Sequence, residues 1–63
     1  MPAMHAYRCY LLDASNHIAS VELIRCPDDD AAKLRAHDIL AEQPQVSAVE
    51  VWQRARQVNR VSP

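Results

Sequence analysis

The chain has 63 residues, with seven lysines and arginines against eight aspartates and glutamates, a formal net charge of −1, and no glycine. A chain of this length forms one domain, residues 1–63, near the lower limit for an unaided hydrophobic core, and we expect its last few residues to fray. Its two cysteines are too few for a disulfide scaffold. The first five residues have neither a basic start nor an apolar run, so we expect a cytoplasmic protein with no membrane association.

Residues 6–24 are predicted to form a β-hairpin. Its turn runs from Asp13 to His17, and without glycine Asn16 is the residue best able to adopt a left-handed conformation there. Pairing Asp13 with His17 predicts one face with the pairs Leu11–Ala19, Cys9–Val21 and Tyr7–Leu23. It predicts a second face with the pairs Leu12–Ile18, Tyr10–Ser20, Arg8–Glu22 and Ala6–Ile24. The first face is wholly apolar and the second sets an arginine opposite a glutamate, so the pattern favours this register.

A helix is predicted to follow the hairpin. The second strand stops at Pro27, and the three aspartates 28–30 supply an N-cap and negative charge for the start of a helix. The helix continues to Glu42 and ends before Pro44. Its apolar stripe at helical spacing should face the sheet and consists of Ala32, Ala36, Ile39 and Leu40. Leu34 lies on the opposite side of this helix.

Residues 46–53 read as a third strand and residues 56–61 as a fourth. In the third strand Val49 and Val51 share one face, while Glu50 and Trp52 share the other. Arg54 and Ala55 form the turn between the two strands. The predicted fold is therefore α+β, with the element order β-β-α-β and a fourth strand.

A right-handed crossover through the helix places the first strand centrally, in an antiparallel sheet of spatial order 2-1-3-4. One helix covers one face of this sheet. The residues predicted beneath the helix are Tyr7, Cys9, Leu11, Val21, Leu23, Val49 and Val51.

The chain contains several short sequence strings that occur together in a known group of proteins. They are residues 7–13 (YRCYLLD), His17-Ile18, Asp28-Asp29 at the start of an alanine-rich helix, and residues 49–52 (VEVW) followed by Arg56 and Val58. With these strings the chain resembles, over nearly its whole length, a group of small alphaproteobacterial proteins with no established activity. Members of that group often have glycine at the positions of Asn16 and of Arg54-Ala55. The resemblance implies no catalytic or binding residues.

Histidine and cysteine are too scattered to indicate a metal, a cofactor or catalysis. The five residues of these types show no paired spacing typical of metal ligands; they are His5, Cys9, His17, Cys26 and His37. Cys9 is predicted beneath the helix, where burial suppresses thiol reactivity. We therefore expect a protein that is not an enzyme and binds no metal or cofactor.

The helix-free sheet face is the predicted functional surface. It would leave a large apolar patch in water, so we expect a protein-interaction module that homodimerises or binds another protein there. A small apolar ligand, or the C-terminal tail of the chain, could cover the same surface. The predicted interface residues are Arg8, Tyr10, Leu12, Ile18, Glu22, Ile24, Glu50 and Trp52. The alternative is single-stranded nucleic-acid binding, with Trp52 stacking on bases and three arginines contacting phosphates; they are Arg54, Arg56 and Arg60.

Overall fold

A computed structural model describes residues 3–63 as four strands and one helix. The elements are β1 (His5–Leu12), β2 (Ile18–Cys26), α1 (Asp29–Glu42), β3 (Ala48–Gln53) and β4 (Arg56–Val61). Neighbouring strands are antiparallel, and their spatial order is β2-β1-β3-β4. The predicted α+β fold, strand order and fourth strand are confirmed. β3 begins at Ala48, two residues later than predicted.

The start and the buried face of α1 follow the sequence pattern. The Asp28 carboxylate accepts a hydrogen bond from the Ala31 backbone N–H at 2.8 Å, as an N-cap does. Ala32, Ala36 and Ile39 are buried against the sheet. Two alanines at this contact have small side chains, so the helix can approach the strands closely. The predicted stripe is confirmed.

The hydrophobic core lies between α1 and the sheet. Its buried members are Tyr7, Cys9, Leu11, Cys26, Ala32, Ala36, Ile39, Val46, Val49, Val51 and Val61. Val46 belongs to this core although it precedes β3. The helix packs mainly on β3 and β4 and less on β2. Among residues 3–63 no helix has both the length and the apolar character needed to cross a bilayer.

The β1–β2 turn closes as predicted. The Asp13 backbone N–H donates to the His17 carbonyl at 2.9 Å. The Asp13 carboxylate accepts from the Ser15 and His17 backbone N–H groups at 2.9 and 3.0 Å. Asn16 has a φ of 66°, so it takes the left-handed conformation assigned to it.

The hairpin register beyond the turn differs from the prediction. Leu12 pairs with Ile18, as predicted, but a β-bulge follows and Leu11 pairs with Ser20. Ala19 is the extra residue, and every later pair shifts by one. The predicted pairs Cys9–Val21, Tyr7–Leu23 and Arg8–Glu22 are therefore wrong. The observed partners are Glu22 for Cys9, Ile24 for Tyr7 and Leu23 for Arg8.

The bulge exchanges the two faces of β2 because side chains alternate along a strand. Glu22, Ile24 and Cys26 lie on the helix side of the sheet. Val21 and Leu23, predicted for the core, lie on the side without a helix. The predicted placement of Glu22 and Ile24 in the interface is corrected by the same shift.

Candidate protein-interaction surface

The sheet face that α1 leaves uncovered, the open face, carries three rows of side chains across the strands. The rows are Leu23–Arg8–Trp52, Val21–Tyr10–Glu50–Arg60 and Ile18–Leu12–Ala48. The predicted interface residues that lie on this face are Arg8, Tyr10, Leu12, Ile18, Glu50 and Trp52. Leu12 is buried, so it cannot contact a partner directly.

A hydrogen-bonded chain crosses the open face. Trp52 Nε1 donates to Glu50 Oε1 at 3.1 Å, and Arg60 Nη1 donates to Glu50 Oε2 at 3.1 Å. Arg60 Nη2 also donates to Oδ1 of Asn16 at 2.9 Å, which ties β4 to the β1–β2 turn. The Glu50 carboxylate is therefore satisfied within the chain. These hydrogen bonds run from Trp52, in the row of Arg8, to Asn16 in the β1–β2 turn.

The aromatic residues of the open face are also engaged with one another. The rings of Tyr10 and Trp52 meet edge to face, with centroids 6.5 Å apart and an interplanar angle of 78°. The Arg8 guanidinium carbon lies 6.0 Å from the centroid of the Tyr10 ring, and Arg8 Nη2 donates to the Arg54 carbonyl at 3.0 Å. Both rings are half-buried. The centre of the open face is thus largely occupied by contacts within the chain.

Apolar exposure is concentrated instead on β2. Leu23 is 77% exposed, Ile18 is 58% exposed and Val21 is 47% exposed. We call these three side chains the β2 patch. They lie on the open side of an edge strand whose outer backbone groups have no neighbouring strand. The prediction included Ile18 but missed Val21 and Leu23, because the bulge at Ala19 reversed their face.

Glu22 lies on the helix side of β2, opposite Cys9. Its Oε2 atom is buried and has no hydrogen-bond partner within residues 3–63. Burial, with a smaller contribution from the Glu22 charge, raises the pKa of the Cys9 thiol to about 11. The thiol is protonated at neutral pH, which disfavours Cys9 as a nucleophile.

The arginines of the nucleic-acid alternative are separated by the structure. Arg56 forms an ion pair with Asp29 at 3.0 Å, next to the start of α1 and away from the open face. Arg60 is paired with Glu50. Arg54, in the β3–β4 turn, is the member of the predicted set that has no carboxylate within 4.0 Å. Side chains alternate between the two faces along β4, and the bulge opposite Trp52 shifts this alternation by one residue. Arg56 therefore lies on the helix side of the sheet, whereas Arg60 lies on the open face.

The Tyr7–Asp29–Arg56 cluster, at the start of α1, was not predicted. Tyr7 Oη donates to Asp29 Oδ1 at 2.9 Å, and both terminal nitrogens of Arg56 donate to the same carboxylate. Hydrogen bonds from Arg56 and Tyr7 hold the pKa of Asp29 below its ordinary value. Burial, followed by the bond to Asp29, raises the pKa of Tyr7. Tyr7 and Asp29 border a hollow of about 500 Å³. Because the three polar groups of the cluster satisfy one another, the cluster is a structural clamp.

No metal-binding constellation is present in the described part of the chain, where no three His, Cys, Asp or Glu residues are grouped to hold an ion. No family model matches the chain, and no curated protein or solved structure matches it either. A functional assignment therefore depends on the geometry of the open face and of β2.

Proposed function

We propose that this protein is a non-enzymatic interaction module that forms a homodimer through the β2 patch. The observation that carries the proposal is the position of the exposed apolar side chains. Three exposed apolar side chains lie together on one side of one edge strand: Ile18, Val21 and Leu23. Single exposed apolar side chains scattered over a surface are common and need no explanation, but a group of them indicates an interaction site.

The size of the chain supports a second copy as the occupant. A domain of 63 residues has a thin core and marginal stability. Full burial of a valine, leucine or isoleucine side chain contributes about 1.5–3 kcal/mol. Because a two-fold contact buries the same patch from both copies, dimerisation doubles the number of side chains that leave water.

Charge disfavours the nucleic-acid alternative. Arg56 and Arg60, two of its three arginines, are neutralised by carboxylates. The chain as a whole carries a formal charge of −1. A single-strand binding surface needs a continuous basic track beside its aromatic platform. Of the three arginines in this alternative only Arg54 is unpaired within residues 3–63, and the neighbouring Arg8 is held within the chain by the Arg54 carbonyl and the Tyr10 ring.

Sedimentation at several protein concentrations tests homodimerisation directly. We expect a reversible monomer–dimer equilibrium in the wild-type protein. Leu23→Glu should shift it toward monomer, because it replaces the most exposed apolar side chain of the β2 patch with a charged one and removes its apolar contact with the second copy. Leu34→Glu is the matched control: Leu34 is 68% exposed on α1, far from the β2 patch, and this variant should dimerise like the wild type.

Two results would refute a homodimer that forms through the β2 patch. The first is a wild-type protein that sediments as a monomer at every concentration. The second is a dimer that Leu23→Glu leaves intact while Leu34→Glu disrupts it, because the contact would then lie on the helix.

A further inference from the structure

We infer that the two copies pair β2 against β2 in antiparallel fashion, with Val21 on the two-fold axis, to form one continuous eight-stranded sheet. This inference rests on the proposed homodimer and specifies how its two copies meet. The two helices then lie on the same side of the joined sheet, because a two-fold axis perpendicular to a sheet preserves its faces.

The edge of β2 is open to such pairing. β2 has nine residues, and the sheet ends on its outer side. It contains neither proline nor lysine; its charged residues are Glu22 and Arg25, and its bulge lies near its start, at Ala19. The opposite edge, β4, is shorter at six residues, and its bulge interrupts it at its third residue, Val58, whereas the bulge of β2 leaves residues 20–26 in regular register. It also lies beneath α1 more fully than β2 does. Backbone pairing is therefore directed to β2.

The unpaired charges of the open face favour edge pairing over face-to-face packing of two open faces. Arg8, Arg25 and Arg54 have no carboxylate within 4.0 Å in the described part of the chain. All three lie toward one end of the open face: Arg25 pairs with Ala6 in β1, and Arg8 bonds to the carbonyl of Arg54. Stacking two open faces would desolvate these guanidinium groups without a counter-charge. Edge pairing leaves them in water.

The register of the β2–β2 pair is set by two-fold symmetry and by the need to keep the two Glu22 carboxylates apart. In an antiparallel pair of identical strands, the residue on the axis faces its own copy. An axis at Glu22 would set two carboxylates directly opposite each other, which is unfavourable. An axis at Leu23 would place Arg25 opposite Val21, a charged side chain against an apolar one.

An axis at Val21 removes both conflicts. It places Ser20 of each copy opposite Glu22 of the other, on the helix side of the sheet. Glu22 is half-buried, and Oε2 is its enclosed oxygen. The Ser20 hydroxyl of the other copy can donate to the same carboxylate at Oε1. On the open side, Val21 meets its own copy, and Leu23 lies over the small Ala19. The contact thus contains two symmetric hydrogen bonds and a shared apolar surface.

Cysteine cross-linking measures this register. Facing residues on the axis have Cα atoms about 4.5–5.5 Å apart, within the range that a disulfide spans. Two Leu23 residues would be four positions apart, about 14 Å, which is too far. Under mild oxidation we expect Val21→Cys to form a covalent dimer and Leu23→Cys to form none. The wild-type protein is oxidised in parallel as a control, because its own Cys9 and Cys26 are buried.

Each other outcome overturns a defined part of the inference. A covalent dimer from Leu23→Cys alone would move the axis to Leu23. If neither variant cross-links while both still sediment as dimers under reducing conditions, edge pairing is wrong and the homodimer stands. If the wild-type protein is monomeric, both proposals fail.

Amide hydrogen exchange of the wild-type protein provides a second test, for the case in which the Val21→Cys substitution itself weakens the dimer. Edge pairing protects the outward-pointing amides of residues 19–23, which are alternate ones along the strand, and the protection should grow with protein concentration. Protection that does not change across the monomer–dimer transition would rule out pairing through β2.

Discussion

The turn between β3 and β4 stores strain that one substitution should release. Arg54 has a φ of 55°, the left-handed region, and of the two turn residues it alone has a positive φ. This sign pattern is that of a type II′ turn, whose first central position is dominated by glycine. A residue with a Cβ loses about 1–2 kcal/mol there relative to a right-handed conformation. Arg54→Gly should therefore stabilise the fold.

The magnitude follows from two opposing contributions. Removing the Cβ relieves the strain of about 1–2 kcal/mol. The extra freedom of glycine in the unfolded chain offsets about 0.4–1 kcal/mol of that. The bond from Arg8 Nη2 goes to the Arg54 carbonyl and survives the change. The middle of the two ranges gives a net gain of about 0.8 kcal/mol, which corresponds to a rise of about 3–6 °C in Tm for a domain of this size.

Urea and thermal unfolding followed by circular dichroism measure this gain. Every variant is compared at one protein concentration, because dimerisation would couple stability to concentration. Arg54→Ala is the matched control, since it removes the guanidinium but keeps the Cβ and should not stabilise. Asn16→Gly should not stabilise either, because asparagine tolerates this conformation and its side chain bonds to Arg60. If Arg54→Gly is neutral, or if Arg54→Ala stabilises equally, turn strain is not the cause.

Two further predictions concern the helix side of the sheet. Tyr7→Phe should destabilise the protein by about 1–2 kcal/mol at pH 7, because a buried ring loses its bond to a carboxylate. The pKa of Asp29 is lowered in the folded protein. The stability that its ionised carboxylate contributes is therefore complete at pH values above the ordinary pKa of aspartate, and it is lost as the pH falls through the lowered pKa. Urea titrations should show the difference between the two proteins shrinking as the pH falls through that lowered pKa; a pH-independent difference would contradict the assignment. Cys9 and Cys26 should both resist alkylation at pH 8 in the native protein and react fully in denaturant, because burial raises the pKa of each thiol. Mass spectrometry checks this, and a loss of about 2 Da reversed by reductant would show instead that the two thiols form a disulfide.

Local chemistry along the chain was sufficient to predict the elements and their order. Asp28 and the aspartates after it mark the start of α1, and the spacing of Ala32, Ala36 and Ile39 identifies its buried face. Asn16 was the best left-handed residue available in the first turn. The rule that crossovers are right-handed then led to the observed strand order. These features depend on residues close in sequence or on general chirality, so no long-range contact was needed to infer them.

The tertiary structure decided which face of β2 points to water. Both faces of this strand contain apolar residues: Val21 and Leu23 on one, Ile24 and Cys26 on the other. A period-two pattern therefore fits either assignment, and a single extra residue, Ala19, selects between them. No glycine or proline marks the bulge. The clamp between Tyr7, Asp29 and Arg56 was hidden for a related reason, because it joins residues 22 and 27 positions apart that only the packed sheet and helix bring together.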